Sequence, residues 1–354
     1  MNNDTIVLTG GGTAGHVTPN INLQNELKKH FKKIVYIGSK NGIEKDIVKT
    51  RTNYTYKEIE PVKFSRKKIV KNLLIPFKLS KAIKDAKKIL KQTNPSVIFS
   101  KGGYVGLPVV ISGKKLNIPV ICHESDISMG LANKLAKKYA DVICTNFEIT
   151  SKQNGKKCVH TGSPITVCNL SKEDAKLKLN ISTNKPILLV TGGSLGAKKI
   201  NEFVYENIAK LTEKFYVIHL VGKGNFNSRI TNKNYTQIEF TNDMITILKA
   251  TDFALSRAGA NSIFELLSNQ VLTTFIPLPK NVSRGDQIDN AQYLESLGLS
   301  KTIKQENLTL NNFFTCVEYL EKNAKSIKEN IKNQHFTDGT AKIMQIILNK
   351  KIKH

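Results

Sequence analysis

A design that occurs twice constrains this chain more than any other feature. Residues 5–8, Thr-Ile-Val-Leu, are an apolar run that reads as a buried strand, and Thr9-Gly10-Gly11-Gly12-Thr13-Ala14-Gly15-His16 follows it directly. A helical pattern with Ile21, Leu23 and Leu27 comes next. The design restarts at residues 186–190, Pro-Ile-Leu-Leu-Val, and Thr191-Gly192-Gly193-Ser194-Leu195-Gly196-Ala197 repeats the turn. A strand passing through a glycine turn into a helix gathers free backbone N–H groups and the positive end of a helix dipole, which suits a phosphate. Glycine lets the anion approach the backbone closely. The expected fold class is therefore α/β, with two Rossmann-like, doubly wound parallel sheets that each open on a glycine turn.

The stretches between the two turns agree. Strand-like runs occur at residues 33–38, 56–59, 96–100, 118–122, 141–144 and 157–161, and again at 215–221, 236–240, 252–256 and 272–277. Helical patterns separate them, which means crossover units and parallel strands. A second glycine turn, Lys101-Gly102-Gly103-Tyr104-Val105-Gly106, follows the run at 96–100, and His123-Glu124 ends another. Ligands of such sheets sit at the carboxyl ends of the strands, where strand order reverses. Two facing halves place the expected active site in the cleft between them. Gly162-Ser163-Pro164 reads as a hinge, giving domains at 1–164 and 165–339. A closing helix over 340–354 is expected to pack back on the first domain through Ile343, Ile346 and Ile347, with Asp338 or Thr340 as its cap.

Charge narrows the partners. The formal net charge is +26, which attracts anionic partners. Arginine supplies five of the 54 basic residues, and no zinc-finger, basic-zipper or aromatic-glycine spacing is present, so nucleic acid is not expected. Between Lys63 and Lys91 eleven basic residues face one acid, Asp85. Residues 77–91 read as an amphipathic helix with Leu79, Ile83, Ala86 and Leu90 on one face. Residues 62–75 mix cations with Phe64, Ile69, Leu73 and Leu74 without helical or strand period, a mixture suited to the surface of an anionic bilayer. No apolar run approaches the roughly 20 residues of a membrane span. The start of the sequence has no signal-like segment. Five cysteines without metal spacing, among them Cys122, Cys144 and Cys158 in strand-like runs, read as buried thiols of a reducing compartment.

Gly10-x-Gly12-x-x-Gly15 formally matches a dinucleotide fingerprint. That fingerprint wants an acid about twenty residues on, and residues 32–38 contain none. His16 fits better as a group that takes a proton from a hydroxyl near a bound diphosphate, the alternative being a histidine packed at a helix start. The second half carries the richer nucleotide signal in Ser256-Arg257-Ala258-Gly259-Ala260-Asn261-Ser262-Ile263-Phe264-Glu265. A carboxylate such as Glu265 is suited to a ribose diol, although Ser262-x-x-Glu265 also spells a capping box. Arg257 and Arg284 offer guanidinium groups for phosphate or base. Gln287, at a helix start, offers an amide to sugar hydroxyls. No Asp-x-Asp and no His/Cys cluster is present, so neither metal nor cofactor is expected. Backbone N–H groups and helix dipoles would stabilise the leaving diphosphate, with Ser194 in the third turn placed to help.

Taken in order, GGGTAGHVTP (10–19), SKGGYVGLP (100–108), HES with NKLA (123–136), GSP (162–164), TGGSLGA (191–197), SRAGANSIFE (256–265) and GDQIDNA (285–291) resemble the MurG family of peptidoglycan glycosyltransferases across nearly the whole chain. The resemblance implies a GT-B fold. It implies metal-independent, inverting transfer of N-acetylglucosamine from UDP-N-acetylglucosamine to the C4 hydroxyl of lipid I, at the cytoplasmic face of the bacterial membrane. By resemblance the donor engages Thr13, Gly15, Ser194, Ile245, Glu265 and Gln287. The acceptor engages Gly12, His16, Gly103, Tyr104, Glu124, Asp126 and Asn133, with His16 the favoured base. Phe64, Lys67, Lys68, Leu73, Leu74 and Phe77 fall where the family touches the membrane. The resemblance also leaves room for other cell-wall synthesis proteins as partners. Thr166 stands where the family commonly has arginine, Asp126 where it often has asparagine, and Asp286 where some members have glutamine. The competing readings are another GT-B sugar-nucleotide enzyme, such as a lipid glycosyltransferase or a UDP-N-acetylglucosamine epimerase, and a basic binding protein without catalysis.

Overall fold

The computed structural model describes residues 4–62, 74–166, 168–193, 195–334 and 336–352. The apolar runs become strands buried on both faces, as parallel sheets require. In the first half these are β1 (Thr5–Thr9), β2 (Lys33–Ser39), β3 (Thr55–Ile59), β4 (Val97–Ser100), β5 (Val120–Glu124), β6 (Val142–Thr145) and β7 (Cys158–His160). They form one sheet in the order β3-β2-β1-β4-β5-β6-β7, and every pairing is parallel. In the second half β8 (Ile187–Thr191), β9 (Tyr216–Leu220), β10 (Tyr235–Ile238), β11 (Phe253–Ser256), β12 (Leu272–Phe275) and β13 (Lys301–Thr302) follow the order β10-β9-β8-β11-β12-β13. These pairings are parallel as well. Each sheet reverses its order at its first strand, so β1/β4 and β8/β11 are the switch points, the positions at which sheets of this kind generally hold ligands.

Side chains along the strands alternate between two cores. In the first sheet Ile6, Leu8, Tyr36, Phe99 and Ile121 pack on one face with Leu23, Leu27 and Val48. Val7, Val35, Ile37, Ile98 and Val120 pack on the other with Ala86, Leu90, Val109 and Ala136. Ile343, Met344 and Ile347 of the closing helix Thr340–Lys350 belong to the first of these cores. Each contributes about 1.5–3 kcal/mol on burial. The chain thus divides into one unit of Met1–Ile165 with Asp338–His354 and a second of Thr166–Thr337. Asp338 ties the returning segment down. Its Oδ1 accepts from the Thr340 amide (3.0 Å), the Thr340 hydroxyl (2.6 Å) and the Ile165 amide (3.2 Å).

Three local readings change. The segment after the first glycine turn is not one helix; it is a 3-10 turn, Ala14–His16, then short helices Thr18–Asn22 and Gln24–His30. The basic helix begins before Pro76, as Ile75–Thr93, because a proline in the first turn forfeits an N–H that has no helical partner. It buries Ala82, Ala86 and Leu90, while Leu79 and Ile83 stay half-buried. Cys122 and Cys144 are buried free thiols, and Cys158 is half-buried. Among the described residues no helix is long and apolar enough to cross a membrane.

Candidate functional sites at the two switch points

In the first unit the turns after β1 and β4 interlock. Gly102 and Gly103 both have positive φ (81° and 75°). A Cβ on Gly103 would lie 2.5 Å from the Gly11 carbonyl oxygen and 3.2 Å from His16 Nδ1. A Cβ on Gly12 would lie 2.5 Å from Cε1 of Tyr104. Backbone therefore packs on backbone, and the Tyr104 ring lies on the first turn. Gly102 precedes the helix Gly103–Lys115, whose N-terminal amides face this junction. Thr13 and Gly15 are exposed on the first turn, and Gly12, His16, Gly103 and Tyr104 are half-buried. Thr13 Oγ1 and His16 Nδ1 are 3.1 Å apart, a hydrogen bond that fixes the ring.

Two buried side chains that the motif reading did not single out hold these turns. Glu44 is fully buried. Its carboxylate accepts from the Gly12 amide (3.2 Å), the Ser39 amide (2.9 Å) and the Ser39 hydroxyl. It binds the first glycine turn to the turn after β2. Tyr36, also buried, donates from its hydroxyl to the Gly10 carbonyl (2.7 Å). The signal available in sequence for Glu44 was one of two acids, with Asp46, in the first turn of the helix Ile43–Arg51, which resembles any surface acid at a helix start.

Glu124, Asp126 and Asn133 take different parts. Glu124 is buried at the end of β5. It accepts from the amides of Ser125 (2.9 Å), Asp126 (3.1 Å) and Gly130 (2.9 Å) and from Asn133 Nδ2 (3.0 Å). It shapes the 125–130 loop rather than presenting open lone pairs. Asn133 Nδ2 also donates to the His123 carbonyl (3.0 Å), while its buried Oδ1 has no hydrogen-bond partner. Asp126 sits half-buried on the loop. Lys101, fully buried, reaches His123 Nδ1 and Ser125 Oγ, each at 2.7 Å.

In the second unit the turn after β8 is closed by contacts around Gly196 (φ 73°) and Gly222 (φ 87°), which lie against each other and leave no room for a Cβ. The helix Lys198–Lys214 starts from this turn. Ser194 lies outside the described residues. The turn after β11 leads into the helix Ala260–Ser268, whose N-cap is Gly259. Ser262 is therefore inside the helix, and the Ser262–Glu265 capping box does not form. Burial raises the Glu265 carboxyl to about 7. No hydrogen-bond or ionic partner for that carboxylate occurs among the described residues.

Gln287 stands at the start of the helix Asp286–Ser296. Its Oε1 accepts from the Leu278 amide (3.1 Å), and its Nε2 is beside Gly259. Arg257 has a structural part instead of a phosphate contact. It is buried and donates to the Ile276 carbonyl (3.0 Å) and to Gln305 Oε1 (2.6 Å). Arg284 pairs with Asp286 at 3.4 Å. Ile245, half-buried, is in the first turn of the helix Met244–Ala250, capped by Asp243.

Of the expected membrane residues, Phe64, Lys67, Lys68 and Leu73 lie outside the described residues. Leu74 and Phe77 are 55% and 77% exposed, beside Lys78 and Lys81. Among the described residues no group of three or more His, Cys, Asp or Glu side chains is placed to hold a metal ion.

The comparisons with known proteins converge. Residues 6–145 match the glycosyltransferase family 28 N-terminal domain, and residues 187–346 match the glycosyltransferase family 28 C-terminal domain. A UDP-N-acetylglucosamine–N-acetylmuramyl-(pentapeptide) pyrophosphoryl-undecaprenol N-acetylglucosamine transferase of Clostridium tetani is 44% identical over 347 residues, 97% of each chain. One of the same name from Clostridium perfringens is 43% identical over 354 residues, covering 99% of this chain and 98% of its own. Among solved structures, the MurG of Acinetobacter baumannii aligns with a TM-score of 0.75 at 24% identity over 98% of this chain and 99% of its own. The glycosyltransferase of kitacinnamycin aligns with a TM-score of 0.73 at 13% identity over 99% of each chain. The fold is GT-B, with one doubly wound sheet in each unit. With both family 28 domains in sequence and near-full-length identity to these transferases, the chain belongs to the MurG family of family 28 glycosyltransferases.

Proposed function

We infer that this chain transfers N-acetylglucosamine from UDP-N-acetylglucosamine to lipid I, forming lipid II, and that its two switch points divide the work. The observation that carries the division is the convergence of the two glycine turns of the first unit on His16. Amides at the start of the helix Gly103–Lys115 and in the first turn offer hydrogen bonds to the acceptor's diphosphate, and the helix dipole favours its charge. His16 receives the proton of the acceptor's C4 hydroxyl. The tautomer this role requires is the one in which Nδ1 donates to Thr13 Oγ1 and leaves Nε2 as the basic nitrogen. The hydroxyl oxygen then attacks the anomeric carbon from the face opposite the UDP, so configuration inverts. Tyr104 packs on the cradle, and Glu124 and Asn133 hold its edge.

The second unit takes the donor. Glu265 accepts from the ribose diol, which supplies the partners its carboxylate lacks. Gln287 Nε2 donates to sugar hydroxyls while Oε1 anchors it to Leu278. The turn from Gly192 to Ala197, with Ser194, receives the diphosphate, and the start of the helix Lys198–Lys214 stabilises it as it leaves. Ile245 borders the base. No metal is required in this scheme. Leu74 and Phe77, exposed among lysines, fit shallow insertion into an anionic bilayer at the cytoplasmic face, where a lipid-linked acceptor resides.

The test is transfer of labelled N-acetylglucosamine from its UDP ester to a short-chain lipid I analogue in the presence of a chelator. Turnover to a β-linked disaccharide is expected. Epimerisation of the donor without transfer would overturn the reading.

A further inference from the structure

Lys101 is a buried amine without a direct counter-ion. It follows β4 and opens the second glycine turn. Its amide donates to the Thr9 carbonyl (2.9 Å), and its Cβ lies 3.1 Å from the place a Cβ on Gly10 would occupy. The root of the side chain therefore lies against both turns of the cradle, its ammonium end reaches His123 and Ser125, and the residue is 1% exposed. An ammonium has three N–H donors. Two have acceptors, His123 Nδ1 and Ser125 Oγ, and both acceptors are neutral. His123 Nε2 is 3.1 Å from the Gly162 carbonyl, an acceptor, so Nε2 carries the ring proton and Nδ1 is the lone-pair nitrogen facing Lys101.

The groups around Lys101 are Glu124 and Asp126 beyond β5, His123 on β5 and Cys144 on β6. The carboxylate of Glu124 is spent on three amides and Asn133. Burial holds His123 well below its ordinary range, so it stays neutral, and burial raises the Cys144 thiol to about 12. Desolvation lowers Lys101 itself to about 7, against the upward pull of Glu124 and Asp126. A buried charge is tolerated when paired, and no carboxylate forms an ion pair with this one among the described residues.

We propose that the missing counter-ion is the diphosphate of the acceptor, and that its binding draws a proton onto Lys101. The proposal rests on the acceptor occupying the cradle of the first unit. Inside the protein, the attraction between an ammonium and a nearby dianion is large because little water screens it. The bound diphosphate raises the affinity of Lys101 for a proton, and by linkage the protonated enzyme binds the acceptor more tightly. Lys101 is thus a positioning residue whose charge appears when the acceptor arrives. Before the acceptor binds, much of the cost of a buried ammonium is avoided at and above neutral pH.

Calorimetric titration of the full-length protein with a short-chain lipid I analogue, in two buffers of different ionisation enthalpy at pH 8, counts the protons taken up. Wild type should take up most of one proton, and its affinity should fall up to about tenfold per pH unit above pH 7. Lys101→Met should take up none, bind the acceptor more weakly at pH 6.5, and lose that slope while keeping wild-type affinity for UDP-N-acetylglucosamine. Lys101→Arg, permanently charged, should bind without uptake. No uptake by wild type, or undiminished uptake by either variant, overturns the proposal, and the wild-type measurement decides even if Lys101→Met fails to fold. A Gly103→Val control separates the underlying reading: wild-type acceptor affinity in that variant would show that the acceptor is held elsewhere.

Discussion

The two switch points share a plan and differ in what they leave unfinished. In the first unit nearly every polar group near the turns is committed. Glu44 holds Gly12 and Ser39, Tyr36 holds Gly10, and Glu124 holds four donors. In the second unit Glu265 is desolvated without a partner, and Gln287 bonds through one end of its amide. If the first unit holds a diphosphate, as proposed, the amides that meet it must be fixed beforehand, and the committed groups around the turns supply that rigidity. A nucleotide sugar offers many hydroxyls, and in the proposed reading the side chains left unpaired in the second unit gain their partners from it. The turns of the first unit are preorganised by burial; in the proposed reading the second unit stores an unfavourable charge at Glu265 that the donor relieves.

The largest test of this contrast is His16→Ala. Loss of a general base costs on the order of 10²–10⁴ in rate, so kcat should fall about a thousandfold, with UDP-N-acetylglucosamine affinity unchanged by calorimetry. Equal loss of both would place His16 on the donor side. Next is a pair of matched glycines. Gly103→Ala must displace the Gly11 carbonyl and should cost roughly a hundredfold in acceptor turnover, as small misplacements do. Gly193, with φ 88° and open space around it, should lose only about tenfold as Gly193→Ala, through backbone strain of about 1–2 kcal/mol. Similar losses in steady-state kinetics would mean that the two turns are equally confined.

Glu265→Gln should raise the donor KM by about tenfold and leave the acceptor KM alone. It should also change stability in a pH-dependent way. The folded state raises this carboxyl to about 7, so it binds a proton more tightly than the unfolded chain does. Stability from this group is full below pH 4.5 and is lost as pH rises through 7. The glutamine variant should therefore melt a few degrees higher than wild type at pH 8 and the same at pH 4.5, by scanning calorimetry. A lower melting temperature at pH 8 would refute the unpaired charge. The smallest effect is expected away from both sites. Leu74→Ser with Phe77→Ser should weaken binding to anionic vesicles several-fold in a flotation assay, through the lost apolar burial, and leave turnover of a soluble acceptor unchanged. Unaltered vesicle binding would show that these side chains stay out of the bilayer.

Much of this molecule is written in local patterns. Apolar runs that are buried on both faces set the parallel strands, and the glycines at residues 10–12, 102–103 and 192–196 mark the turns because few other residues meet their backbone angles or contacts. Spacing alone placed His16 and Gln287 at turn and helix start. The sequence did not decide whether Ser262 began its helix. Gly259 is the cap, and that depends on where β11 ends. Nor did it distinguish Arg257, which points into backbone carbonyls, from a phosphate ligand. Glu44 and Lys101 were illegible for the same reason: each looks like an ordinary surface charge until the sheet brings together Gly12 with Ser39, or His123 with Ser125. Local chemistry fixes which backbone conformations the chain adopts. Burial, and with it the strength of every charge in the two sites, arises from contacts between residues distant in sequence, so only the tertiary structure decides it.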